Sequence, residues 1–338
     1  MVSAKYIVPR FVEGPMCQRF NEEFDDCDKY FWTNLLLINN FYPVHLGSTC
    51  MPWTWFASVD FQMFLLVPLL GLLFQRTKLG GYIATLTIVV LSVFLTALLN
   101  GLASKTGANP YLDSSFFTDI YIKPWARASP YFIGVFFGST FFYYSKNSDQ
   151  NYIFSKIKYN PIIRAAIYWI GFVLWFTTIA VLFSYTKDYG NNWPSSVKII
   201  YAAISPITFI CGVTSLILPA LLGKAKLVRF LLKGPILNLL GKVTFMVALS
   251  HPILLIGIYT TVGQQIYIES YKMFTLFVGH SFLSYILGSA VSVLFELPAR
   301  GLESIWHDRY YAHLMVHKFM NEKELSKGNQ SRTSDAQG

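Results

Sequence analysis

Seven long stretches of this 338-residue chain contain at most one Lys, Arg, Asp or Glu each. A helix needs about 20 apolar residues to cross the hydrocarbon core of a bilayer, and every stretch is long enough. Only 13% of the residues are charged, whereas about a quarter are charged in an ordinary soluble domain. The sequence therefore predicts an all-α fold, a polytopic transmembrane helix bundle of about seven spans. The predicted spans are roughly 53–75, 79–103, 125–145, 164–185, 198–222, 236–261 and 273–296.

Several ionisable residues intrude on these spans, and they include Asp60, Arg127, His251, His280 and Glu296. A charge inside a bilayer is costly, so each of them is a candidate functional residue. Structural roles are the alternative: a hydrogen-bonded helix contact for the aspartate, interfacial snorkelling for the arginine, and packing for the two histidines. The glutamate ends the last span, and we expect it to pair with Arg300 at the membrane boundary.

The basic residues of the loops are distributed unevenly. The loops after the first, third and fifth spans hold ten Lys and Arg, and the intervening loops hold five. Because basic loops stay on the cytoplasmic side, the N-terminus is predicted to be lumenal or extracellular and the C-terminus cytoplasmic. The predicted parts are an outer segment (1–52), a transmembrane domain (53–297) and a tail (298–338) that is disordered at its end. The membrane is either the plasma membrane or the endoplasmic reticulum.

Three of the four cysteines, Cys17, Cys27 and Cys50, lie in the outer segment, which the charge pattern places in an oxidising compartment. A disulfide between Cys27 and Cys50 is the preferred pairing, and one between Cys17 and Cys27 is the alternative. Three free thiols are the third interpretation. Residues 30–43 of this segment are aromatic and half-apolar, which favours an interfacial or re-entrant segment before the first span.

The net charge of +9 does not indicate a nucleic-acid partner. The basic residues lie in short loops and in the tail, where anionic membrane lipid attracts them, and no nucleic-acid-binding motif is present. No metal site is expected, because the one close histidine pair, His313 and His317, has no acidic or cysteine companion. No phosphate loop or dinucleotide fingerprint is found, so no cofactor is predicted.

Four segments, in order, resemble the acyltransferase 3 family, specifically its animal branch of nose-resistant-to-fluoxetine-like proteins. The segments are Trp32–Phe41 followed by Cys50-Met-Pro-Trp-Thr-Trp55, Trp55–Gln62, Lys123-Pro-Trp-x-Arg127-x-x-Pro-Tyr-x-Ile-Gly134, and Leu-Gly-Lys-Val-Thr-Phe245 with His251-Pro252, ending at Glu296-x-Pro. Together they cover about residues 30–305. Bacterial relatives carry a glutamate where this chain has Asp60.

The resemblance implies an integral membrane O-acyltransferase that moves an acyl group from acyl-CoA to a hydroxyl-bearing acceptor, with membrane lipid as its surroundings. Acyl-CoA is then a donor substrate rather than a cofactor. The candidate catalytic residues are His251, Asp60 and Arg127. The candidate substrate-binding residues are Gln62, Trp55 and His280.

The chain departs from the family pattern in one respect. Members have about ten spans, and their first span carries a basic residue followed about ten positions later by a histidine, which is absent here. We therefore expect a fragment that lacks the first helices, and its activity without them is open. The alternative function is a non-catalytic transporter or a membrane protein that handles lipids or xenobiotics.

Overall fold

The computed structural model describes residues 24–43, 49–103, 106–110, 112–146, 152–187, 193–261 and 269–310. These residues form helices, turns and loops without a strand, which confirms the predicted all-α fold. The predictions for Cys17 and for the tail beyond residue 310 lie outside the described residues. The main helices are α1 (Cys27–Leu35), α2 (Trp55–Phe64), α3 (Val67–Arg76), α4 (Lys78–Leu102), α5 (Pro124–Lys146), α6 (Tyr152–Tyr159), α7 (Pro161–Lys187), α8 (Ser195–Leu221), α9 (Lys226–Lys233), α10 (Pro235–Thr261) and α11 (Ser270–Val291), and shorter helical turns lie between and after them.

Six helical segments in the described part of the chain are long and apolar enough to cross a membrane. They are Pro52–Arg76, Lys78–Leu102, Pro161–Lys187, Ser195–Leu221, Pro235–Thr261 and Ser270–Tyr310. The predicted third span also forms a helix, the 23-residue α5, but it is less apolar than these six. Helix α5 packs against both α4 and α8. Because interfaces between membrane helices favour small residues such as Gly, Ser and Ala, its lower hydropathy fits an enclosed position.

The first span is interrupted between α2 and α3. Residues Leu65 and Leu66 form a turn, and Pro68 occupies one of the first two positions of α3. Proline has no backbone N–H to donate, and its ring crowds the preceding turn, so it ends or bends a helix at this point. Helix α2 therefore carries the candidate residues of the first span as a separate short element.

The chain divides into two compact units, Met1–Asn238 with Gly257–Gln264, and Leu239–Ile256 with Gln265–Gly338. In the first unit the most extensive packing joins α4 to α5 and α7 to α8, and α8 also contacts α4 and α5. Side chains of α2 to α5 form its buried core, which includes Val59, Met63, Leu70, Phe74, Val89 and Phe132.

A stripe of small polar residues on α4 fixes the first turn of α5. Ser92 is buried, donates a hydrogen bond to the carbonyl oxygen of Trp125 and accepts one from the backbone N–H of Ser129 at 2.9 Å. Thr85 and Thr96, on the same face, donate to carbonyl oxygens one turn earlier in α4. The N-terminal end of α5 is thus held against α4 by hydrogen bonds as well as by packing.

Two glycines allow α7 and α8 to approach closely. A Cβ atom at Gly212 would lie 2.9 Å from the backbone nitrogen of Trp175 and 3.0 Å from the carbonyl oxygen of Gly171. A Cβ atom at Gly171 would lie 2.8 Å from the Cβ of Ser215. Backbone atoms cannot move aside as a flexible side chain can, so these positions require glycine.

We expect Gly212→Ala to lower the stability of the first unit by about 2 kcal/mol, because overpacking of this kind typically costs 1–3 kcal/mol. Gly138→Ala in α5 is the matched control, since a Cβ atom there would meet no atom within 4 Å. It should be neutral or stabilising, because a helical glycine costs about 0.5–1 kcal/mol relative to alanine. Thermal unfolding of both variants in detergent measures the difference, and equal midpoints would contradict the close approach.

Candidate functional site

A disulfide between Cys27 and Cys50 ties α1 to the start of the first span. This is the preferred of the pairings that the sequence left open. Both cysteines are buried, and the side-chain amide of Asn34 donates to the carbonyl oxygen of Cys50 at 2.6 Å. Phe24 and Trp53 meet edge to face beside it, with ring centroids 6.1 Å apart. The aromatic segment (residues 30–43) is therefore anchored to the N-terminal end of α2.

Gln62 holds the aromatic segment by a reciprocal pair of amide hydrogen bonds. Its Nε2 donates to Asn40 Oδ1 at 2.9 Å, and Asn40 Nδ2 donates back to Gln62 Oε1 at 3.0 Å. The same Nε2 also donates to the carbonyl oxygen of Leu37 at 2.9 Å. Asn40 is only 1% exposed. Both ends of the Gln62 amide are thus engaged in positioning the segment, and substrate binding by this residue stays a prediction.

A second set of hydrogen bonds involves Ser58, which lies one turn before Gln62 on α2. Ser58 donates to Asn39 Oδ1 at 2.5 Å, and Asn39 Nδ2 donates to the hydroxyl of Thr54 at 2.9 Å. Lys123, the residue before α5, also contacts the aromatic segment, since its Nζ donates to the carbonyl oxygen of Asn40 at 2.6 Å. Burial lowers the pKa of Lys123, while the nearby Asp119 acts in the opposite direction. The two asparagines, Ser58 and Lys123 were not among the predicted site residues, because their hydrogen-bond partners are distant in the chain.

Asp60 lies on the other face of α2. A helix turns through about 100° per residue, so Ser58 and Gln62, four residues apart, share one face, and Asp60 between them points away from both. Its side chain is exposed. The ion pairs among the described residues involve Glu269, Glu296 and Asp308, so the structure does not pair Asp60 with Arg127. Of the predicted residues on α2, Asp60 has the most exposed side chain.

Arg127 and Trp55 come together in the first unit, as parts of one aromatic corner. The Arg127 guanidinium carbon lies 3.6 Å from the ring centroid of Tyr121 and 5.3 Å from that of Trp55. Its Nε donates to the Tyr121 carbonyl oxygen at 3.0 Å. The Nη2 atom is buried and has no hydrogen-bond partner. Tyr121 was not among the predicted residues, although it stands six positions before the arginine.

His251 uses one ring nitrogen within its own helix. Its Nδ1 lies 3.1 Å from the carbonyl oxygen of Val247 and 3.0 Å from that of Ala248. Pro252 cannot donate a backbone N–H, so the Ala248 carbonyl loses its ordinary helical partner, and the histidine ring takes that place. Both contacts are carbonyl oxygens, which only accept, so Nδ1 carries the proton. The lone pair of Nε2 is then left as the basic site of a half-buried side chain.

The other two candidate residues of the second unit, His280 and Glu296, differ in their surroundings. His280 is partly buried on α11. Glu296 is 9% exposed and accepts hydrogen bonds from Ser292 Oγ at 2.7 Å and from Arg300 Nη2 at 2.5 Å. The pairing expected between Glu296 and Arg300 is present, and this glutamate is fully engaged in it.

Comparison with known proteins decides the family. A model of the acyltransferase 3 family, described as an acyltransferase domain, matches residues 17–297. The chain belongs to the acyltransferase 3 family. It is also 22% identical over 327 residues to nose resistant to fluoxetine protein 6 of Caenorhabditis elegans. That alignment covers 93% of this chain and 37% of the relative. No solved structure matches the chain.

The acyltransferase 3 match extends from the outer segment to the end of the last span, so it includes every predicted site residue. Within the first unit the structure brings two of the family-like motifs into contact, since Trp55 of one meets Arg127 of the other. The His251-Pro252 motif lies in the second unit, where its hydrogen bonds are local. The chain spans about 37% of the length of the curated relative, so the activity of the whole relative is no more than a guide.

Proposed function

We propose that this chain acts in an integral membrane O-acyltransferase, which moves an acyl group from acyl-CoA to a hydroxyl group of an acceptor. The match of the acyltransferase 3 family to residues 17–297 carries the proposal. Six helices able to span a membrane are consistent with chemistry at or within a bilayer. Membrane lipid surrounds the site, and the acceptor is a sugar, a lipid or another molecule with a free hydroxyl.

His251 is the proposed general base. The acceptor hydroxyl gives its proton to His251 Nε2 while its oxygen attacks the thioester carbonyl of acyl-CoA. The new carbon–oxygen bond forms, the carbon–sulfur bond breaks, and the CoA thiolate leaves and takes up the proton from the histidine. The hydrogen bonds of Nδ1 to the carbonyl oxygens of Val247 and Ala248 support this role, since they fix the tautomer in which Nε2 can accept.

The other predicted residues each have a proposed role. Asp60, exposed on α2, and Arg127, with its buried Nη2, are the proposed catalytic residues of the first unit. His280, Trp55 and Gln62 are proposed to line the substrate sites. We also propose a lumenal or extracellular N-terminus, in the plasma membrane or the endoplasmic reticulum. The asymmetry of loop charge and the disulfide between Cys27 and Cys50 support that orientation.

Acyl transfer can be tested in membrane vesicles that contain the full chain. Vesicles with and without the chain would receive acyl-CoA of short or long chain length, labelled in the acyl group. We expect chain-dependent release of CoA thiol together with label in hydroxylamine-sensitive esters. Folded chain in the vesicles without CoA release would overturn the proposal and favour the non-catalytic transport or lipid-handling function.

A further inference from the structure

The corner formed by Trp55, Tyr121 and Arg127, here called the arginine corner, contains an unsatisfied cation. A buried N–H group without an acceptor costs more than an ordinary hydrogen bond returns, and the cost is greater when the group is charged. Nη2 of Arg127 is such a group, because it is buried and has no partner. A protein retains an arrangement of this kind most readily where a ligand supplies the acceptor.

A second unsatisfied donor lies two residues earlier in the same turn. The indole Nε1 of Trp125 is also buried and has no hydrogen-bond partner. Its ring is held beside Phe41, with centroids 6.2 Å apart, and its carbonyl oxygen is held by Ser92. Packing therefore fixes this tryptophan, which makes a simple rotation toward another acceptor costly. Two residues along a helix are turned through about 200°, so this donor points away from the arginine corner and is not part of it.

The chain is basic where α5 begins, at the corner. Between Lys123 and Arg127 the sequence contains two cations and no acid. The nearest acidic residues on the preceding segment have other contacts: Asp113 Oδ2 accepts from the hydroxyl of Tyr185 at 2.7 Å, and Asp119 Oδ1 accepts from that of Thr118 at 3.0 Å. Among the described residues no ion pair neutralises Arg127.

The shape of the corner selects the kind of ligand. Tyr121 stacks on the flat face of the guanidinium at 3.6 Å, and Trp55 meets Tyr121 edge to face at 5.7 Å. With its face stacked on Tyr121 and its Nε bonded to the Tyr121 carbonyl, the guanidinium has unused hydrogen-bonding capacity at Nη2, which is buried. The edge of a guanidinium matches the oxygen atoms of a phosphate or carboxylate group.

We propose that the arginine corner binds an oxyanion, the phosphate or carboxylate group of a ligand, through Arg127 Nη2. This inference rests on the proposed function, which already includes Arg127 and Trp55, and it names the class of ligand that these residues bind. The binding test does not require acyl transfer, so the two proposals can fail separately. Two sources fit this chemistry: the phosphate of an anionic lipid headgroup, and a soluble phosphate or carboxylate.

Ligand-dependent stability of the purified full chain tests the site. Thermal unfolding would be followed in neutral detergent with sodium phosphate, with sodium acetate, or with sodium chloride at matched ionic strength. A parallel series would use phosphatidylcholine nanodiscs with and without phosphatidic acid. A bound oxyanion raises the unfolding midpoint by mass action. Stabilisation by phosphate or acetate identifies a soluble source, and stabilisation by phosphatidic acid alone identifies the lipid headgroup.

Variants of two arginines complete the test. Arg127→Gln should weaken the apparent affinity about tenfold or more, since it removes a charge-assisted hydrogen bond. Arg127→Lys, which keeps the charge and loses the planar edge, should weaken it about threefold or more and serves if the glutamine variant does not fold. Arg164→Gln is the matched control, because its guanidinium already donates to the carbonyl oxygen of Lys158 at 2.7 Å. No stabilisation of the wild type, or equal responses of the position-127 and position-164 variants, would overturn the proposal.

Discussion

Replacing His251 with alanine should lower acyl transfer by about 100-fold or more while the chain remains folded in the membrane. General base catalysis typically contributes 10²–10⁴-fold, and the alanine variant has no group to take the acceptor proton. The expected loss of stability is small, about 1 kcal/mol, because among the described residues the ring makes hydrogen bonds to carbonyl oxygens of its own helix. Label transfer from acyl-CoA in vesicles, normalised to folded chain, measures the effect.

An asparagine at the same position separates structure from chemistry. In His251→Asn the side-chain amide can still donate to the carbonyl of Ala248, which Pro252 leaves without a backbone partner. It offers no basic nitrogen, so transfer should fall as far as in the alanine variant while stability is better preserved. His307→Asn is the control, on an exposed histidine beyond Glu296. Transfer at the wild-type rate by His251→Asn would exclude the proposed base.

The helices of this chain could be predicted because a bilayer leaves few alternatives. Without water, each backbone polar group must be satisfied within the segment, so long stretches with few charges become helices. The same reasoning says little about how apolar an enclosed helix must be. Helix α5 was predicted as a span like the others, and it is less apolar than the six segments able to span a membrane. A less apolar helix is tolerated here because α5 packs against α4 and α8. Hydropathy alone does not reveal which helices pack against which.

The faces of α2 could also have been derived from spacing alone. Four residues separate Ser58 from Gln62, and the helical period places Asp60 away from both. The polar network that uses this face could not be predicted, because the partners of Ser58 and Gln62 are Asn39 and Asn40, which are 19 and 22 residues away across a loop. An amide in an irregular segment has no periodicity by which its partner can be found.

The His251-Pro252 pair shows a similar limit. Proline at position 252 predicts a carbonyl without a donor one turn earlier, and that much follows from chemistry. Which donor forms a hydrogen bond to that carbonyl depends on the rotamer of a neighbouring side chain. In the structure the donor to the Ala248 carbonyl is the side chain of His251 itself. The proline that removes one backbone hydrogen bond therefore also fixes the histidine tautomer.

Removing the Cys27–Cys50 disulfide should release the aromatic segment from the first span. The two cysteines are 23 residues apart, and closing a loop of this length stabilises a chain by about 3 kcal/mol. The doubly substituted Cys27→Ala, Cys50→Ala chain should therefore populate an open outer segment about 100-fold more. Lys29 on α1 is exposed, so trypsin can report this opening by its rate of cleavage after that residue.

The disulfide test has an internal control and a clear contrary outcome. Cys211→Ala removes the cysteine of α8 that has no disulfide partner, and it should leave cleavage after Lys29 unchanged. Applied outside intact cells, or inside the lumen of microsomes, trypsin reaches this residue only if the outer segment lies on the predicted side. Equal cleavage rates in the double variant and the wild type would show that the hydrogen bonds and packing of the segment hold it without the disulfide. Thiol alkylation of both cysteines in native membranes would contradict the disulfide itself.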